Sequence, residues 1–148
     1  MRNLSRRATK GAFTLVELLV VVVLIAILAS IAVPKFMNSG VRGREASMRA
    51  DLKLYRNAIE LFTNDTGLCP LTMADLAATS APTHGADQAA GTSTVLNATL
   101  WNGPYLYAVM NDPITNADDW TYSVTAGSVG DIHAATGTAL DGSDYSTW

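Results

Sequence analysis

"KGAFTLVELLVVVVLIAILASIAVP", Lys10 to Pro34, decides how this chain is read. Its apolar part, Phe13–Val33, is 21 residues long. At a rise of ~1.5 Å per residue that makes about 31 Å of helix, the thickness of a bilayer's hydrocarbon core. From Leu18 to Val33 no side chain is charged, and Ser30 is the only polar one. One acid, Glu17, interrupts the start of the run. A carboxylate inside a membrane segment costs roughly 2.5–3.5 kcal/mol, so it marks a partner and a task. No cation lies near it in the chain: Lys10 is the nearest before and Lys35 the nearest after.

The flanks give the run a direction. Arg2, Arg6, Arg7 and Lys10 make the first twelve residues purely basic, and such a stretch stays on the cytoplasmic side. A secretory signal would place its small-residue cleavage site after a shorter apolar core. Here the small pair Gly11–Ala12 comes before the core. Cleavage at that point would remove a leader, residues 1–12, and keep the hydrophobic helix.

Gly11-Ala12-Phe13-Thr14-Leu15-Val16-Glu17 resembles the class III signal of type IV pilins and type II secretion pseudopilins. The resemblance implies that a prepilin peptidase cuts before Phe13 and methylates the new amino terminus. Glu17 then becomes the fifth mature residue and Pro34 the twenty-second, the places where the family carries an acid and a proline. Family leaders end in glycine, and here Ala12 follows Gly11, so a cut after Gly11 would shift the register by one. By the same resemblance, Glu17 meets the terminal amine of a neighbouring subunit during assembly. A buried carboxylate is costly alone and tolerable when paired.

Past the membrane segment (13–33), residues 34–66 read as an amphipathic stem. Met48, Leu52, Tyr55, Ile59 and Phe62 are spaced four, three, four and three, one stripe of a helix. Glu45 with Arg49, and Arg56 with Glu60, are expected i,i+4 ion pairs. Gly67 stands where a helix C-cap belongs. Pro34, Gly40 and Gly43 weaken the helix between the two parts, and a kink or local melting is expected there.

Residues 67–148 form the expected head. The stretch 71–100 reads as a variable surface loop, with a short helix at "MADLAATS" capped by Thr72. "PYLYAVM" (104–110), "DWTYSVT" (119–125) and "DIHAAT" (131–136) read as three strands of a small antiparallel sheet packed on the apolar stripe. The fold class is α+β, a long helix carrying a head.

The head motifs resemble those of the major (type G) pseudopilin of type II secretion. "NDTGLCP", "LWNGPYL", "NDP" with "WTYSV", and the tail "GDIHAATGTALDGSDYSTW" carry that likeness. "ITNADD" departs from it after Pro113, and Thr138-Ala139-Leu140 add spacing before Asp141. The resemblance implies a calcium ion in the C-terminal loop, in place of the disulfide that many pilins use. Cys69 is the only cysteine, so no intrachain disulfide can form. Asp141 and Asp144, hard oxygen donors in a Gly/Ser loop, are the expected ligands, with Asp131 and Asp112 as further candidates.

The implied partners are further copies of the chain, the prepilin peptidase, minor pseudopilins, the inner-membrane assembly platform, and the membrane itself before assembly. The implied location is the inner membrane, amino terminus cytoplasmic and head periplasmic, followed by a periplasmic or extracellular filament. A surface-pilus subunit for adhesion or motility is the alternative, and a minor tip subunit binding surfaces or DNA ranks below it. Nucleic acid is disfavoured, because residues 57–148 carry ten acids and no Lys or Arg. Catalysis is disfavoured too: His84 and His133 are isolated, and no phosphate-cradling loop or metal-ligand His spacing is present.

Overall fold

The computed structural model describes residues 13–148. The expected leader, with Gly11 and Ala12, lies outside the described residues. Helix α1 runs Leu15–Thr66 and passes through Pro34 without a break in helical backbone. The expected local melting at Pro34–Gly43 is therefore absent, although Pro34 has no N–H to offer the carbonyl of Ser30. Contacts divide the chain into two units, Met1–Ser39 and Gly40–Trp148.

In the first unit every large apolar side chain from Leu15 to Val33 is exposed, ranging from 81 % at Leu15 to 48 % at Val20. A helix that is apolar all round needs lipid or other helices about it. Ser30 satisfies its hydroxyl within the helix, donating to the carbonyl of Ile27 at 2.7 Å.

In the second unit the expected stripe is the core. Met48, Leu52, Tyr55, Ile59 and Phe62 are all buried, and they pack with Leu76, Leu96, Leu106, Trp120, Ile132 and Tyr145. Tyr55 meets Trp120 edge to face at 5.3 Å, and Phe62 meets Tyr105 at 5.5 Å. Gly67 ends α1 in the left-handed region, φ 75°, a conformation that costs glycine no Cβ clash. Thr72 caps a 3₁₀ helix, Met73–Ala77, through a capping box with Asp75.

The sheet differs from expectation. Two separate two-stranded ribbons replace the three-stranded sheet. β1 (His84–Ala86) pairs antiparallel with β2 (Ser93–Val95), inside the stretch expected to be loop. β3 (Thr121–Tyr122) pairs antiparallel with β4 (Ile132–His133). Residues 104–110 form no strand. Their amides are taken by other groups: Tyr105 and Leu106 both donate to the carbonyl of Leu76 at 2.9 Å, and Met110 donates to the Tyr55 hydroxyl at 2.7 Å. With those donors engaged by a 3₁₀-helix carbonyl and an α1 side chain, no ladder forms.

Candidate functional site

Two places hold the residues singled out in the sequence. The first is the start of α1. Thr14 stands at the N-cap and Glu17 three residues on. The Thr14 amide and hydroxyl both donate to Glu17 Oε2, at 3.0 and 2.9 Å. The Glu17 amide donates back to Thr14 Oγ1 at 3.2 Å. This reciprocal capping box satisfies two donors at the open end of the helix and puts an acid at its positive pole. Glu17 thus has a hydrogen-bond partner in Thr14, while the nearest cations in the sequence remain Lys10 and Lys35. Thr-x-x-Glu directly before an apolar run was the signal that would have revealed Thr14. Phe13, whose amine cleavage would free, immediately precedes this box and is 75 % exposed.

The second place is the tail, residues 137–148, laid along α1 within the Gly40–Trp148 unit. Glu45 is 6 % exposed, and its Oε1 accepts from the Leu140 amide at 2.7 Å and the Tyr145 hydroxyl at 3.2 Å. Arg49 reaches Asp141 at 3.4 Å and lies 3.6 Å over the centre of the Trp148 ring. Arg56 donates to the carbonyls of Ile132, at 3.1 Å, and Trp148. Tyr145 packs edge to face on Trp148 at 4.9 Å, and the Trp148 indole N–H donates to Ser143 Oγ at 2.9 Å. These bonds replace the expected i,i+4 ion pairs: Glu45, Arg49 and Arg56 all turn to the tail. A buried acid here finds a hydroxyl and an amide that would otherwise be unsatisfied, which outweighs a solvated pair on the helix surface.

Asp141 and Asp144 share this tail loop. Asp141 Oδ1 accepts from the Ser143 hydroxyl at 2.6 Å and the Ser143 amide at 2.9 Å. Those bonds, with the Arg49 guanidinium in a smaller part, hold its carboxyl below the usual range. Asp144 caps the 3₁₀ turn Tyr145–Thr147, accepting from the Ser146 amide at 2.8 Å, which lowers its carboxyl likewise. The Tyr145 phenol is pushed up, first by burial and then by its bond to Glu45.

The other two candidate ligands have their own settings. Asp112 is 1 % exposed and folds its own turn, accepting from the Ile114 amide at 2.6 Å. Asp131 is exposed in the connection between β3 and β4, and its carbonyl accepts from Ser123. Among the described residues no three of His, Cys, Asp and Glu gather into a group that could hold a metal ion. Calcium takes six to eight oxygens, and those that Asp141 and Asp144 do not supply would come from backbone carbonyls and waters. The calcium expectation thus rests on the resemblance alone.

Comparison with known proteins bears on the amino terminus and on about two thirds of the chain. Residues 7–33 match the prokaryotic N-terminal methylation motif. The chain is similar to the type II secretion system core protein G of Aeromonas hydrophila, 29 % identical over 105 residues, which is 68 % of this chain and 73 % of that one. Against the core protein G of Pseudomonas aeruginosa it is 29 % identical over 107 residues, covering 69 % and 75 % of the two chains. Against that of Klebsiella michiganensis it is 32 % identical over 67 residues, 45 % and 47 %. No solved structure matches significantly. The resemblance drawn from the motifs is supported at the amino terminus and over about two thirds of the chain.

Proposed function

We propose that this chain is a type II secretion pseudopilin, a structural subunit that polymerises through its N-terminal helix into a filament driving protein export. One observation carries the reading: a methylation motif over 7–33 takes in the start of a helix whose large apolar side chains, Leu15 to Val33, are exposed. In the bilayer, lipid covers that surface; in a filament, the same helix of neighbouring subunits does. The amino terminus is cytoplasmic, the head periplasmic, and the chain passes from inner membrane to filament. A prepilin peptidase cuts before Phe13, and minor pseudopilins and the membrane assembly platform are the further partners. Glu17 receives the new amine of a neighbouring subunit.

Processing gives the direct test. The mature protein is expected to begin at a methylated Phe13 and to hold 136 residues, the 148 of the chain less the twelve of the leader. Intact mass of membrane-extracted protein reads this. A start at Ala12, or an uncut chain, would overturn the register.

The metal has its own measurement. Calcium at Asp141 and Asp144 is expected to show in the melting temperature of the full chain in detergent, which falls in chelator and recovers with calcium but much less with magnesium. Glu45→Ala is expected to lower it, because the Leu140 amide and Tyr145 hydroxyl would each lose a partner at about 1–3 kcal/mol. A melting temperature that ignores both chelator and calcium would return Asp141 and Asp144 to a solvated surface.

A further inference from the structure

We propose that the outward face of α1 between Arg42 and Lys53 is the seat for the acidic Ile114–Asp119 loop of a second copy of this chain. The inference rests on the filament reading and names one contact within it. Cations and acids are segregated along the sequence: Lys35, Arg42, Arg44, Arg49, Lys53 and Arg56 precede residue 57, and ten acids with no Lys or Arg follow. Folding leaves most of that segregation uncompensated. Among the described residues the only salt bridge is Arg49–Asp141. Arg42 and Lys53 are exposed and make none.

The two cations stand on one face. Eleven residues at about 100° each return to nearly the same direction, so Arg42 and Lys53 lie about 16 Å apart along the helix. Exposed Ala46 lies between them as a low step, and Arg49, held against Asp141 and the Trp148 ring, borders the same face.

The occupant is chosen by charge and by shape. Asp118 and Asp119 are adjacent, exposed, and outside any salt bridge among the described residues. Their loop is prefolded. Buried Asp112 ties its base by accepting from Ile114 and by donating its own amide to the Ala117 carbonyl at 2.9 Å. Asn116 turns the tip at φ 58°. A rigid acidic tip meeting a basic stripe loses little entropy on docking. Opposite charges on two faces of one chain also favour head-to-tail contacts, which propagate into filaments rather than closing as dimers.

The test is charge exchange in the full-length chain, expressed with its processing and assembly partners, with filaments sheared from the cells and counted. Arg42→Glu with Lys53→Glu, and separately Asp118→Lys with Asp119→Lys, are each expected to cut filament yield about tenfold or more through like-charge contact. All four substitutions together are expected to restore it, and Lys53→Cys with Asp118→Cys to give disulfide-linked ladders. Unchanged melting temperatures in the two double variants would separate this from misfolding. Normal filament yield in either double variant overturns the contact and leaves the pseudopilin reading standing. Loss in both without rescue by the fourfold variant also overturns it, and loss of membrane retention in Arg42→Glu with Lys53→Glu would assign the cations to lipid headgroups instead. No filaments from the unaltered chain would overturn the filament reading itself.

Discussion

Glu17→Ala should leave the chain in the membrane and abolish its filaments. Removing a carboxylate from an apolar span relieves roughly 2.5–3.5 kcal/mol of insertion cost, so membrane retention is held or improved. The capping box with Thr14 is lost, at about 0.5–2 kcal/mol, but only the first turn of α1 is affected. Assembly has no such reserve, because a neighbour's amine drawn into the apolar bundle would be left without a counter-charge. Glu17→Gln separates the two roles. Glutamine can still serve as the third residue of a capping box but carries no charge. It is expected to assemble as poorly as alanine. Filaments at normal yield from Glu17→Gln would mean that the cap, and not the ion pair, is what assembly needs.

The largest effect on folding is expected at Tyr55. The ring is fully buried and meets Trp120 edge to face, while its hydroxyl donates to the Met110 carbonyl at 2.9 Å and accepts from the Met110 amide at 2.7 Å. Tyr55→Ala removes ring and hydroxyl together, and a loss of about 3–5 kcal/mol is expected, a large part of the ~5–15 kcal/mol available to a domain. Tyr55→Phe keeps the ring but leaves the Met110 amide without its partner, at about 1–3 kcal/mol, while the Met110 carbonyl keeps the Trp120 indole N–H. Thermal melting of the two variants beside the parent reads both numbers. Equal melting of Tyr55→Phe and the parent would show that Met110 finds water in place of the hydroxyl.

The helix was legible because its signals are periodic and local. The four-three spacing of Met48 to Phe62 places them on one buried face, and Gly67 and Thr72 cap where their chemistry directs. The head was less so. Residues 104–110 alternate like a strand, yet their amides bond to Leu76 and Tyr55, groups 29 to 55 positions away that no window of sequence can see. The ribbon of β1 and β2 was invisible for the opposite reason. Three residues a side, with glycine in one strand, give too little β-character to register. At the tail, Asp141 and Asp144 lie in one turn and are held by Ser143 and Ser146. Their partners were not foreseen, because Glu45 and Arg49 fit an i,i+4 pair so well by spacing alone.

The clamp of Glu45, Arg49 and Arg56 on the tail has a kinetic side. Its bonds join residues 95, 100 and 92 positions apart, among the most distant contacts in the chain. Local structure forms within microseconds, while contacts of such separation must wait for long loops to close. The helix can therefore stand early with one flank of its core stripe uncovered, near Met48 and Leu52, until the tail arrives. During that interval the head is open on the side the tail will close, and its sticky surface is available to neighbours, to folding helpers and to proteases. Delivery of the tail is the step that ends that exposure.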